Sequence, residues 1–81
     1  MAVTRTEIET QVLAALAFAS EQEVSAVDLG ADFDSLGLDS VGRVELLARV
    51  EDSFETHVPP DDAIHLGCGQ DVVRYLARRL A

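Results

Sequence analysis

The sequence predicts an all-α fold: a small four-helix bundle of three main helices and one short helix, with a long loop between the first and second helices. Three segments carry apolar residues three and four positions apart, which is the spacing of a helix with one buried face. Helix-capping residues precede two of these segments, and a Pro-Pro pair follows the second. With 81 residues and one cysteine, the chain is expected to form a single domain over residues 1–81 without an internal disulfide.

The first helix is predicted over residues 5–19. Thr4 and Glu7 have the spacing of a capping box, in which the threonine is the N-cap. Leu13 and Phe18 lie off the apolar face and are expected to pack against the returning loop. That face consists of Ile8, Val12, Ala15, Leu16 and Ala19.

Residues 20–38 have no helical period. Nineteen residues is long for a loop in a small domain, so the apolar residues spaced along it predict that it is pinned over the core, with a short helical turn.

The second helix, predicted over residues 40–54, carries two apolar stripes. The stripe expected to face the core consists of Leu46, Leu47, Val50 and Phe54. The opposite stripe consists of Val41, Val44 and Ala48, bordered by the acids Glu45, Glu51, Asp52 and Glu55. Because a helix of a bundle needs only one apolar stripe, the second is predicted to be a docking surface for proteins, although single exposed apolar residues are also common.

Three further features complete the helical prediction. Arg43 falls on the core side of the second helix, where it must reach solvent or pair with an acid. Pro60 can start a short third helix that runs through Ile64 and Leu66. A last helix over residues 70–80 is expected to place Tyr75 at the core edge, to turn Val72, Val73, Leu76 and Leu80 inward, and to carry Arg74, Arg78 and Arg79 near its C-terminal end.

The charge is strongly acidic, with fifteen Asp and Glu, six Arg and no Lys, for a net charge of −9. Such a surface repels nucleic acid and anionic membranes and attracts basic patches on proteins, although acids also keep a small domain soluble. The sequence contains no signal peptide or membrane-spanning run, and the absence of disulfides fits a reducing cytoplasm. We therefore expect a cytoplasmic monomer with protein partners and neither nucleic-acid nor membrane partners.

Asp39 and Ser40 stand at the junction between the loop and the second helix. Their side-chain oxygens can accept the free N–H groups of a first helical turn. A serine there is presented at a helix N-terminus, which favours a bound phosphate. The simpler interpretation is that Ser40 only starts the helix.

Catalytic and metal sites are not expected. A serine hydrolase would need His57 or His65 beside Ser40, and no Gly-x-Ser-x-Gly motif is present. Asp32, Asp34 and Gly37 match part of a calcium-binding loop, but the position of its glutamate is Arg43. One Cys and two His cannot form a structural zinc site. Cys68, between two glycines, is interpreted as a small half-buried residue at a helix junction rather than a reactive thiol.

The run Leu36-Gly37-Leu38-Asp39-Ser40-Val41, followed by Val44-Glu45-Leu46, resembles the modification site of acyl carrier proteins. The resemblance extends over nearly the whole chain, including the break after Phe54. It departs from the family at Gly42, which weakens the first helical turn and suggests that this turn is mobile, and at Cys68-Gly69, where Thr-Val is usual. These departures suggest a specialised member of the family.

The resemblance implies a carrier and not an enzyme. In that family the serine, here Ser40, receives a 4′-phosphopantetheine arm from coenzyme A through a phosphopantetheinyl transferase and magnesium, and Asp39 would help to place the serine and the metal–phosphate group. The arm's thiol then carries acyl groups as thioesters. Acyl-loading, condensing and tailoring enzymes would dock through basic patches against Val41, Val44, Glu45, Ala48, Glu51 and Asp52.

The pathway implied is polyketide or fatty-acid-like biosynthesis. A peptidyl or aryl carrier of a nonribosomal peptide pathway is the alternative, because Gly-Leu-Asp-Ser-Val also occurs in aryl carriers. An alternative of another class is an acidic helical domain that binds partners with Ser40 unmodified.

Overall fold

The computed structural model describes residues 3–80, which form four α-helices and one 3₁₀ turn. The helices are α1 (Arg5–Ser20), α2 (Ser40–Phe54), α3 (Pro60–Ala63) and α4 (Gly69–Leu80), and the 3₁₀ turn is Val24–Ala26. The all-α prediction is confirmed, and the boundaries predicted for the three main helices agree within one residue. Among these helices none has both the length and the hydropathy needed to cross a membrane.

The first helix begins as its sequence predicts. The Thr4 Oγ1 atom accepts the Glu7 N–H at 3.1 Å, and the Thr4 hydroxyl donates to Glu7 Oε1 at 3.2 Å. Glu21 is the C-cap that follows the last helical residue. It adopts a left-handed conformation with φ 56°, and its N–H donates to the Phe18 carbonyl at 3.3 Å.

The core lies between α1, α2 and α4, because α1 packs against both of the other long helices. Leu47 and Phe54, predicted to face the core, are only half-buried at its edge, as are Ala19 and Leu80. The fully buried side chains are Ile8, Val12, Leu16, Leu46, Val50, Val72, Val73 and Leu76. No polar or charged side chain is buried among residues 3–80.

The long loop is pinned over the core, as predicted. Phe33 and Leu38 are buried, and the short helical turn is the 3₁₀ segment. An isolated antiparallel bridge joins Asp32 to Cys68, and the Phe33 N–H donates to the Gly67 carbonyl at 2.9 Å. These contacts attach the loop to the residues just before α4. They thereby fix the part of the loop that leads into α2.

Phe18 makes a contact that its prediction did not include. Its side chain is 51% exposed, and the Arg49 guanidinium carbon lies 3.3 Å from the ring centroid. The ring therefore stacks with a cation from α2 and is half exposed, whereas the sequence predicted packing against the loop.

The short helix α3 is tied to α4 through Tyr75. The Tyr75 hydroxyl donates to Asp62 Oδ2 at 2.6 Å, which raises the pKa of Tyr75, and Arg79 Nη1 donates to the Tyr75 oxygen at 2.6 Å. Tyr75 is half-buried at the core edge, as predicted, and Leu66 is buried beside it, whereas Ile64 remains exposed.

Candidate functional site

A tight turn delivers the chain to the start of α2. The Leu38 N–H donates to the Phe33 carbonyl at 3.0 Å, and the Gly37 N–H donates to the Asp34 carbonyl at 3.0 Å. Gly37 has φ 78°, a left-handed conformation that glycine adopts without a steric penalty. The buried side chain of Leu38 anchors the end of the turn, so the residues that follow begin at a fixed point on the surface.

Asp39 caps the helix and Ser40 is its first residue. The Asp39 Oδ1 atom accepts the Gly42 N–H at 2.8 Å, and the Asp39 carbonyl accepts the Arg43 N–H at 3.0 Å. The Ser40 and Val41 N–H groups precede that first intrahelical bond, so they lie at the positive end of the helix dipole. Ser40 is exposed, so solvent and partner proteins can reach its side chain at this capped helix end.

Gly42 has a packing role beside this serine. It is buried, and a Cβ added to it would lie 3.1 Å from Leu38 Cδ2. The absence of a side chain therefore lets the Leu38 anchor lie close against the first turn of α2. This contact offsets part of the weak helix propensity that the sequence showed at this position.

Arg43 was predicted to reach solvent or to pair with an acid, and its partly exposed side chain pairs with Asp34. Its Nη2 atom lies 2.7 Å from Asp34 Oδ1, and its guanidinium carbon lies 5.6 Å from the centroid of the buried Phe33 ring. Together with Leu38, Asp39 and Ser40, the pair lines a shallow depression of about 380 Å³. The depression beside the exposed serine is thus lined by one guanidinium and two carboxylates.

Asp32 orders the turn that precedes the site. Its Oδ1 atom accepts the Ser35 N–H at 2.8 Å, and hydrogen bonds from the Ser35 hydroxyl and N–H hold the pKa of Asp32 below its usual value. Asp34 is paired with Arg43. The partial calcium-loop pattern therefore has a structural explanation, and residues 3–80 contain no group of three or more His, Cys, Asp or Glu side chains arranged to hold a metal ion.

The second stripe of α2 lies in solvent. Val41 and Val44 are 72% and 68% exposed, and Ala48, Glu45 and Asp52 are also exposed. We call these five residues the α2 surface. They follow Ser40 directly, so a protein that covers them also reaches the serine.

Glu51 borders the α2 surface but is engaged elsewhere. It is half-buried, and its Oε2 atom accepts the Val58 N–H at 2.8 Å and lies 2.9 Å from His57 Nδ1. This carboxylate secures the segment after α2, a role that the charge pattern alone did not suggest. His57 is thereby paired with Glu51, and neither His57 nor His65 lines the depression at Ser40.

Comparison with known proteins identifies the family of this chain. A family model described as "Phosphopantetheine attachment site" matches residues 10–76. Over 66 residues the chain is 32% identical to the acyl carrier protein of Streptomyces coelicolor, covering 78% of this chain and 72% of that protein. Over 55 residues it is 42% identical to the acyl carrier protein of Phaeodactylum tricornutum, covering 67% of this chain and 72% of that protein.

A four-helix bundle with an exposed serine at a capped helix start is the arrangement expected of a carrier protein. The family match covers most of the chain, and this protein belongs to the phosphopantetheine-binding acyl carrier protein family. Members of this family are carriers and not enzymes, their prosthetic group is 4′-phosphopantetheine, and they interact with phosphopantetheinyl transferases and biosynthetic enzymes. The residues at the start of α2 fit such a group, because the Ser40 hydroxyl is exposed and the depression beside it opens to solvent.

Proposed function

We propose that Ser40 carries the 4′-phosphopantetheine arm and that the protein delivers acyl groups to the enzymes of one biosynthetic pathway. The observation that supports this most directly is the exposed Ser40 hydroxyl on the first residue of α2, within a run that matches the family's modification motif. A terminal thiol on the arm supplies the thioester chemistry. The chain itself supplies the attachment oxygen and the surface that partners recognise.

Asp39 acts in this proposal by holding the helix start in place. Its carboxylate remains bonded to the Gly42 N–H, and this fixes the backbone from which the serine side chain projects. Its second oxygen, Oδ2, can face the metal–phosphate group that a transferase brings. Attachment bonds the Ser40 oxygen to the phosphorus next to the pantetheine of coenzyme A and breaks the pyrophosphate linkage there, so that adenosine 3′,5′-bisphosphate leaves. The Ser40 hydroxyl gives up its proton to a base, which the transferase can supply because the serine is exposed.

Intact-mass measurement tests the attachment. The protein is incubated with coenzyme A, magnesium and a broad-specificity phosphopantetheinyl transferase, beside Ser40→Ala and Ser53→Ala variants. Ser53 is an exposed serine near the other end of the same helix and is the matched control. We expect one phosphopantetheine mass on the wild type and on Ser53→Ala, and none on Ser40→Ala.

The absence of any mass gain on folded wild-type protein, with a transferase active on another carrier, would contradict the proposal. The protein would then be better described as an acidic interaction domain that works without a covalent cofactor.

The α2 surface is proposed as the docking site, with Glu51 at its border. Two exposed valines and an alanine beside the Glu45 and Asp52 carboxylates suit a partner patch that combines apolar and basic side chains. The Oε2 atom of Glu51 is already bonded, so we expect this residue to contribute less to docking than Glu45.

Charge neutralisation tests the docking surface. We expect Glu45→Gln and Asp52→Asn each to lower the kcat/KM of arm attachment by roughly two- to fivefold, the size of one partly exposed ion pair. Glu9→Gln removes the same charge from α1 and should leave the rate unchanged. Equal effects from all three variants would indicate a response to net charge and not to a docking surface.

The pathway that we propose is polyketide or fatty-acid-like biosynthesis, and Leu38-Asp39-Ser40 supports it. Loading assays separate this from the alternative. A carrier that accepts a malonyl group from an acyltransferase, and rejects aminoacyl and aryl groups from adenylating enzymes, fits the proposal; the reverse preference fits a peptidyl or aryl carrier. We further propose that the protein acts as a monomer, which sedimentation of the modified form tests.

A further inference from the structure

We propose that Arg43 binds the phosphodiester of the arm once Ser40 is modified, exchanging its present partner Asp34 for the phosphate. Arg43 would then be a positioning residue that fixes the direction in which the arm leaves the protein. This inference rests on the proposed attachment at Ser40.

The position of Arg43 relative to Ser40 is the first support. The two residues are three positions apart on α2, a spacing that makes side chains neighbours on the helix surface. Both line the same depression, and Arg43 is the one cation among its five lining residues. A planar guanidinium can offer two parallel N–H groups to two phosphate oxygens, which a lysine cannot do.

The present partner of Arg43 is easily released. The Asp34 side chain is 85% exposed, so its 2.7 Å contact with Arg43 lies in water, where ion pairs contribute little to stability. A released Asp34 carboxylate would be hydrated and would leave no buried charge unpaired. Its backbone carbonyl would still accept the Gly37 N–H, so the turn would keep its conformation.

A contact with Phe33 keeps the Arg43 guanidinium in the depression that Ser40 also lines. The guanidinium lies beside the Phe33 ring, which is 2% exposed and therefore fixed in the core. A phosphodiester on Ser40 would otherwise add a negative charge to a depression that the carboxylates of Asp34 and Asp39 also line. Arg43 is the one cationic side chain that lines the depression, so the exchange relieves a repulsion and forms a charge-assisted contact.

The exchange makes the site differ between the two forms of the protein. In the unmodified form Arg43 is paired with Asp34, and in the modified form Asp34 is an unpaired acid beside the base of the arm. An enzyme that binds near the turn could use this difference to distinguish the two forms.

Nuclear magnetic resonance of the modified protein tests the exchange. Wild type, Arg43→Gln, Arg43→Lys, Asp34→Asn and Arg49→Gln are each modified and checked by intact mass. Arg49 is the matched control, because it is a cation on the same helix that stacks on Phe18 and does not line the depression. The readouts are the ³¹P transverse relaxation rate of the phosphodiester and the resonance of the Arg43 Nε–H group.

We expect the ³¹P relaxation rate to be about twofold lower in Arg43→Gln than in wild type, because a released phosphodiester moves independently of the helix. Arg43→Lys should recover part of the difference, and Arg49→Gln should match wild type. Asp34→Asn should move the Arg43 Nε–H resonance in the unmodified protein and leave it unchanged in the modified protein.

The measurements distinguish failure of the role of Arg43 from failure of the attachment. Equal ³¹P relaxation in modified wild type and Arg43→Gln, or an Arg43 resonance that responds to Asp34→Asn in both forms, would overturn the role of Arg43 while leaving the attachment intact. Failure of the wild type to gain the arm would overturn the attachment, and the inference with it.

Discussion

Substitution of Gly69 by alanine should destabilise the fold, although Gly69 is the first residue of α4 and alanine is the better helix former. A Cβ at this position would lie 2.6 Å from Leu16 Cδ1 and 2.8 Å from Leu29 Cδ2. Leu16 is fully buried, so its side chain cannot turn into solvent. Leu29 lies in the long loop, and its carbonyl accepts the Gln70 N–H at 2.8 Å. The backbone at Leu29 therefore cannot move away from α4 without losing that hydrogen bond.

The change in the free energy of unfolding for Gly69→Ala follows from two opposing effects. Adding a methyl group to a packed core costs about 1–3 kcal/mol, and replacing a helical glycine recovers at most about 1 kcal/mol, less at the first residue of a helix. We expect a net loss of about 1–2 kcal/mol in the free energy of unfolding. For a chain of this size that lowers the urea midpoint by about 1–2 M.

Urea unfolding followed by circular dichroism measures this loss, and Gly67→Ala is the matched control. A Cβ at Gly67 would lie 3.7 Å from Asp71 Oδ2, an ordinary contact, so this variant should unfold near the wild-type midpoint. A Gly69→Ala midpoint equal to or above that of Gly67→Ala would refute the argument that the close approach of Leu16 and Leu29 requires glycine here.

Three further predictions concern the acids that hold the turns. Asp39→Ala should lower the free energy of unfolding by about 1 kcal/mol, because it removes the N-cap of α2. Asp39→Asn keeps a capping oxygen and should lose much less stability in the same thermal unfolding assay. Glu51→Ala should lower stability by about 1–3 kcal/mol, because the partly buried Val58 N–H loses its acceptor, and Glu51→Gln should cost less in the same assay. The Gly67 N–H holds the pKa of Asp71 below its unfolded value, so Asp71 contributes stability above about pH 4 that is lost as pH falls through the folded pKa. Asp71→Asn should therefore flatten the acid limb of a stability-against-pH curve.

Local sequence patterns were sufficient for the three long helices and for the position of the serine, whereas the short helix α3 ends at Ala63 and does not run through Ile64 and Leu66 as predicted. The bounds of α2 followed from Asp39 as N-cap and from the apolar period after it, and both signals lie within one short segment. The two outcomes left open for Arg43 followed from its place on the core side of α2, and its partly exposed side chain does both, because it reaches solvent and pairs with Asp34.

Contacts between distant segments were not predictable from pattern. Glu51 looked like one more surface acid of α2, and nothing near it in sequence indicates that it would bind the Val58 N–H. Phe18 looked like a loop anchor, whereas Arg49 of α2 reaches its ring. Gly69 was noted only as a neighbour of Cys68 before the last helix. The need for glycine at this position arises only in the folded protein, where Leu16 and Leu29 pack against it. Such contacts depend on how helices and loop are brought together, which periodicity does not encode.

The separation of the site from the core determines how the proposed experiments can be interpreted. No polar or charged side chain is buried among residues 3–80, and Ser40 is exposed at the end of a helix that Asp39 caps. Ser40→Ala therefore removes an oxygen from the surface and should change the free energy of unfolding by less than about 0.5 kcal/mol. A Ser40→Ala variant that gains no arm is then a folded protein without its attachment oxygen. The same reasoning does not extend to Asp39, whose substitution weakens α2 and alters the site together.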